Sequence, residues 1–76
     1  MSPPTTYVHV VYDPARQEYT VQVVRHGRLT STAVVRTITT VAVIAKQLHC
    51  SVYTDHPELK PALRSYGVTV ITDASP

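Results

Sequence analysis

The stretch from Cys50 to Asp73 constrains this chain more than any other, because it reads as strand, short helix, strand. Two parallel strands joined by a helix deliver their last residues to one edge of a sheet, and open α/β sheets place ligands at such edges. Asp55 and Asp73 fall at those two strand ends. Within the stretch, Asp55-x-x-Glu58 has the spacing of an Asp-led capping box. Pro57 suits a first helical turn, whereas Pro61 lies deeper, where its missing donor should kink the helix or confine the regular part to Pro61–Tyr66. Gly67 supplies a left-handed stop, Val68 folds back on Leu63, and Val68–Thr72 forms the last strand.

The first half of the chain predicts an antiparallel meander. Tyr7–Tyr12 has strand composition, with Val8, Val10 and Tyr12 on one face. Asp13-Pro14 then breaks it, since Asp bonds its own backbone and Pro presets φ. Tyr19, Val21 and Val23 alternate with Thr20, Gln22 and Val24, the pattern of a half-buried strand. His26-Gly27 suits a two-residue hairpin turn. Arg28–Thr32 returns as a short third strand whose one sizeable anchor is Leu29.

Thr32–Leu48 is crowded with β-branched residues, which oppose helix. Yet Val34, Ile38, Val41, Ala45 and Leu48 recur in alternating steps of four and three. That period is helical, and it outweighs propensity. The expected order is therefore β-β-β-α-β-α-β, a mixed α/β sheet in the order 3-2-1-4-5 with two helices and one face partly bare. The domain is expected to span residues 7–73, between tails at 1–6 and 74–76.

With 76 residues the chain makes one small domain with a thin core. It has no Trp and no Phe, so that core draws on Val, Ile, Leu and Ala with tyrosine edges. The net charge of +2 is spread along the chain rather than gathered into the basic stripe of a typical nucleic-acid binder. One cysteine excludes an internal disulfide and favours a reducing compartment. The amino terminus lacks a signal-peptide pattern, and no apolar run is long enough to span a membrane. These features lead to the expectation of a cytoplasmic chain without a membrane segment.

The order of elements from residue 7 to 73 resembles the core of the ribonuclease H-like fold. Val52-Tyr-Thr-Asp-His-Pro-Glu-Leu59 resembles that family's fourth strand, in which a catalytic Asp ends the strand before a helix. The match in residue type is confined to Tyr53-Thr54-Asp55. The resemblance implies metal-assisted cleavage of nucleic acid by converging carboxylates. Of the family's carboxylates the resemblance carries over Asp55 alone cleanly, with Asp13 and Asp73 as displaced candidates for other members of the set. Residues 32–49 contain no acidic residue where the family carries a helical Glu, so the catalytic set is incomplete.

Each of these aspartates also has a local reason to be Asp: a turn at Asp13, a helix cap at Asp55, a tail at Asp73. His49-Cys50 and Asp55-His56 offer ligand types without the paired spacing of a structural zinc site. Cys50 opens an apolar strand, which is not a setting that activates a thiol. No metal or cofactor is expected. The leading expectation is a non-enzymatic interaction module that binds a protein partner, or itself as a homodimer, through its sheet or outer helix. Tyr7, His9, Arg25, Arg28 and His56 are its expected contact residues. The alternative is a nucleic-acid binding or processing domain, in which strand tyrosines stack bases beside arginines.

Overall fold

Alternation of apolar and polar residues builds the first three strands. In the computed structural model, which describes residues 6–71, β1 (Thr6–Asp13), β2 (Glu18–Arg25) and β3 (Arg28–Val35) form an antiparallel meander. Asp13 closes the first turn: its Oδ1 accepts from the Ala15 N–H at 3.0 Å and the Arg16 N–H at 3.4 Å. Gln17 then turns left-handed (φ 54°), and Glu18 comes opposite Asp13. The second turn is the expected two-residue hairpin, with His26 (φ 52°) and Gly27 (φ 77°) both left-handed.

The third strand is longer than the sequence suggests, running to Val35 rather than stopping at Thr32. β2 presents a full ladder of backbone groups, and Ala33, Val34 and Val35 pair with Val21, Thr20 and Tyr19 to satisfy it. A register shift beside Val23 and Val24 is stabilised by Thr30, whose hydroxyl donates to the Val23 carbonyl at 3.1 Å. Leu29 is no anchor; it is 56% exposed.

The first helix accordingly starts later than expected. α1 (Ile38–Leu48) opens at Thr37, whose backbone is extended (φ −129°) and whose hydroxyl accepts from the Thr40 N–H at 3.2 Å. Val41, Ala42 and Ala45 are buried, with Ile38 and Ile44 packed beside them. Val34, expected on the same stripe, lies instead on β3 and is 58% exposed. The helix ends at His49 (φ 55°), where the His49 and Cys50 N–H groups bond the Lys46 and Ala45 carbonyls, both at 3.1 Å. This is a left-handed stop made without glycine.

The crossover through α1 brings β4 (Ser51–Thr54) parallel to β1, with Tyr7 opposite Ser51 and Val10 opposite Thr54. The sheet is therefore mixed, in the order β3-β2-β1-β4. α2 (Leu59–Ser65) comes next in the chain. Its cap is Glu58, which makes no side-chain capping bond, so Asp55 does not cap the helix. Pro61 falls in the first turn of α2, where the N–H has no intrahelical partner in any case, and its ring is accommodated without breaking the helix. Gly67 (φ 82°) provides the stop, and the Val68 N–H bonds the Leu63 carbonyl at 3.1 Å.

That stop curtails the fifth strand. With its N–H committed to α2, Val68 cannot begin a strand. Pairing with β4 is reduced to a parallel bridge of Val70 with Val52, held by Val52 N–H to Thr69 O (2.9 Å) and Ile71 N–H to Val52 O (2.8 Å). The expected fifth strand, Val68–Thr72, is thus a single bridge over the described residues, and Thr72 lies outside them.

The core lies on one side of the sheet. Val8 and Val10 of β1, Val21 and Val23 of β2, and Val52 of β4 meet Val41, Ala42 and Ala45 of α1 and Leu59 and Leu63 of α2. Val68 and Val70 complete the cluster. Thr54 is the one buried polar residue of the described core, and its hydroxyl accepts the His56 N–H at 3.2 Å. The Thr39 hydroxyl donates to that of Tyr66 at 3.1 Å and ties the two helices together at the surface.

Candidate functional site

Alternation that sends Val8, Val10, Val21, Val23 and Val52 inward sends their neighbours to the opposite face. Among the described residues no element covers that face. It carries Tyr7, His9 and Val11 of β1, Thr20, Gln22 and Val24 of β2, and Tyr53 of β4, with His9 between Gln22 and Tyr53. The Tyr7 and Tyr53 rings meet edge to face, with centroids 6.4 Å apart and planes at 86°. His9 lies closer to Tyr53, at 5.3 Å and 34°. The three rings shield one another, so Tyr7, His9 and Tyr53 are half-buried with no layer above them. His9 Nε2 is cut off from water and has no hydrogen-bond partner among the described residues. The Tyr53 hydroxyl donates to Asp55 Oδ1 at 2.7 Å. That hydrogen bond, reinforced by the carboxylate charge, raises the Tyr53 phenol above its ordinary range.

Parallel pairing of β1 with β4 puts Asp13 and Asp55 toward the same end of the sheet. Each is used locally: Asp13 by the turn amides, Asp55 by Tyr53. Asp73 lies outside the described residues. Among those residues, no three His, Cys, Asp or Glu side chains gather closely enough to hold a metal ion. His49 forms the stop of α1, and the half-buried Cys50 thiol donates to the Leu48 carbonyl at 3.3 Å.

The other expected contact residues divide between two places. Arg25 and Arg28 face each other across the His26-Gly27 turn, both exposed and neither ion-paired among the described residues. Like charges directly opposite on a sheet oppose folding, so stability is not the reason for this pair. His56 has a structural role. Its Nε2 accepts the Tyr12 N–H at 3.2 Å, which assigns the ring proton to Nδ1, and Nδ1 faces Glu58 at 3.7 Å. The start of α2 is thereby fastened to the end of β1. Beside it the Tyr12 and Tyr19 rings pack at 4.9 Å, and burial, followed by the proximity of Tyr12 and Glu58, pushes the Tyr19 phenol up.

Two features of this surface escape sequence reading. One is the length of β3, which places Leu29 and Val34 on an exposed edge. The other is the approach of Arg36 to the Tyr12–Tyr19 pair, which depends on that length. Comparisons with family models, with curated proteins and with solved structures find no match to this chain. No helix among the described residues is long and apolar enough to cross a membrane.

Proposed function

We propose that this chain is a non-enzymatic interaction module that binds a protein partner, or a second copy of itself, through its uncovered sheet face and free β3 edge. The observation that carries the reading is β3. It is eight residues long, exposed over seven of them, and among the described residues hydrogen-bonded to β2 on one side only. Its free side offers backbone donors and acceptors to an added strand. From Leu29 to Val35 it carries no charged residue that would discourage such pairing. Tyr7, His9, Val11 and Tyr53 supply the adjoining face, and Arg25 and Arg28 flank its hairpin end. The free Cys50 suits a reducing, cytoplasmic setting.

Light scattering across a concentration series tests self-association. The expected result is a mass rising toward that of a dimer, and a return to monomer in the Thr32→Lys, Val34→Lys double variant. A monomer at every concentration removes the homodimer. Capture from host lysate with and without nuclease then separates the function classes, because a protein partner survives nuclease.

The second reading, a nucleic-acid binding or processing domain of ribonuclease H-like type, draws on the β1–β4 pairing that puts Asp13 and Asp55 at one edge. Its test is divalent-metal-dependent cleavage of an RNA–DNA hybrid that Asp55→Asn abolishes.

A further inference from the structure

On the helix side of the sheet, Tyr12, Arg16, Gln17, Tyr19 and Arg36 line an open concavity of ≈ 500 Å³. The topology assembles it from three places. Tyr12 and Tyr19 are cross-strand partners at the ends of β1 and β2. Arg16 and Gln17 come from the turn between them, and Tyr19 also pairs with Val35, so Arg36 emerges beside it. The two rings, 4.9 Å apart and tilted by 41°, make a half-buried aromatic wall. Both arginines are exposed and unpaired among the described residues. Of the nearby carboxylates, Asp13 accepts from the turn amides and Glu58 faces His56 Nδ1 at 3.7 Å, while Glu18, opposite Asp13, sits next to Tyr19 in β2, where strand alternation turns it to the other face of the sheet. Arg36 directly precedes the cap of α1, whose first turn contains no acidic residue.

Two free guanidinium forks beside an aromatic wall suit a phosphate that carries a flat ring. Guanidinium pairs phosphate oxygens bidentately, and a tyrosine face accepts a stacked base. The volume falls within the roughly 300–1,000 Å³ of small-ligand sites. A wall of two rings with a wide mouth fits a bicyclic base better than the single ring of a phosphotyrosine. We infer that this concavity binds a nucleotide, free or at the phosphorylated end of a single strand, with its phosphate on Arg16 and Arg36 and its base against Tyr12 and Tyr19. The inference concerns a different surface from the β3 edge and stands independently of that reading.

The test is titration of the isotope-labelled full chain, followed by NMR, with adenosine monophosphate, a 5′-phosphorylated oligonucleotide, inorganic phosphate and O-phosphotyrosine. The nucleotide is expected to shift the amides of Tyr12, Arg16, Tyr19 and Arg36 together and to bind more tightly than inorganic phosphate. The Arg16→Gln, Arg36→Gln double variant, altered only at exposed positions, is expected to lose about tenfold or more in affinity. Tyr19→Leu is expected to bring nucleotide affinity down to that of phosphate. Tighter binding of the oligonucleotide than of the free nucleotide assigns the strand end as the source, and the reverse order assigns the free nucleotide. No saturable shift up to about 10 mM, equal affinity for phosphate and nucleotide, or preference for phosphotyrosine would each overturn the inference.

Discussion

Leu63 is the largest fully buried side chain of the described core, and Leu63→Ala tests whether α2 is seated on the sheet as described. Truncation removes three carbons, worth about 2–2.5 kcal/mol at roughly 0.8 kcal/mol per buried methylene. The cavity left behind raises the loss to about 3–5 kcal/mol, because Leu63 is fully buried in the core cluster that the sheet valines share with both helices, where the site cannot fully collapse. A chain of 76 residues has a total stability of roughly 4–11 kcal/mol. The variant should therefore lose between about a quarter of that stability and all of it. The bond from the Val68 N–H to the Leu63 carbonyl involves main chain alone and survives, so the loss reports packing. Urea denaturation followed by far-UV circular dichroism measures it. With a slope of about 1 kcal/mol per molar, the midpoint should fall by about 3 M or more at unchanged slope. Leu48→Ala is the control: Leu48 is 36% exposed, and its loss should stay near 1 kcal/mol. Equal losses for the two variants would refute the placement of α2.

Further outcomes concern the backbone and the uncovered face. Gly67→Ala should cost about 1 kcal/mol or more, since Gly67 is left-handed at φ +82° and an added Cβ meets Lys46 Nζ at 3.3 Å. Denaturant midpoints read this loss as well. His49→Gly should run the other way by a few tenths of a kcal/mol, by relieving a non-glycine left-handed stop at φ 55°; destabilisation would show that the imidazole supports the fold. Asp55→Asn should lower the Tyr53 phenol toward its ordinary range, read from tyrosinate absorbance during an alkaline titration. Because the folded-state value is raised, the Tyr53–Asp55 bond contributes fully below about pH 10 and is lost as pH rises through that folded-state value. An unchanged titration in Asp55→Asn would exclude the bond.

The meander and its turns were legible because their signals are local. Asp13-Pro14 and His26-Gly27 each announce a reversal within a few residues, and Val21 and Val23 declare the inward face of β2. The boundary between β3 and α1 was not legible. Thr30, Thr32, Thr37, Thr39 and Thr40 all suit a cap by residue type, and Thr37 is selected because pairing with β2 holds the chain extended through Val35. The same non-local cause hid the concavity: Arg16 belongs visibly to the first turn, but Arg36 meets Tyr19 only when β3 runs full length. The fifth strand is a single bridge over the described residues for a different reason: Val68 serves the stop of α2 first. The partners of the two described aspartates, backbone amides for Asp13 and a phenol for Asp55, are set by neighbours a few residues away.

The crossover through α1 has a consequence for how the chain acquires its fold. β1, β2 and β3 are joined by short turns and can pair within microseconds of one another. The central position of β1, however, depends on β4, which lies beyond β3 and α1 in the chain. Closing that long loop costs entropy before any pairing repays it, so β4 docks late. Until then, Val8 and Val10 have no cover on their β4 side, and the side of β1 that will receive Ser51–Thr54 is an open edge. During synthesis that edge stays bare until α1 and β4 have both emerged. A chain cut short after β3 would display it permanently, as a sticky three-stranded ribbon in place of a folded domain.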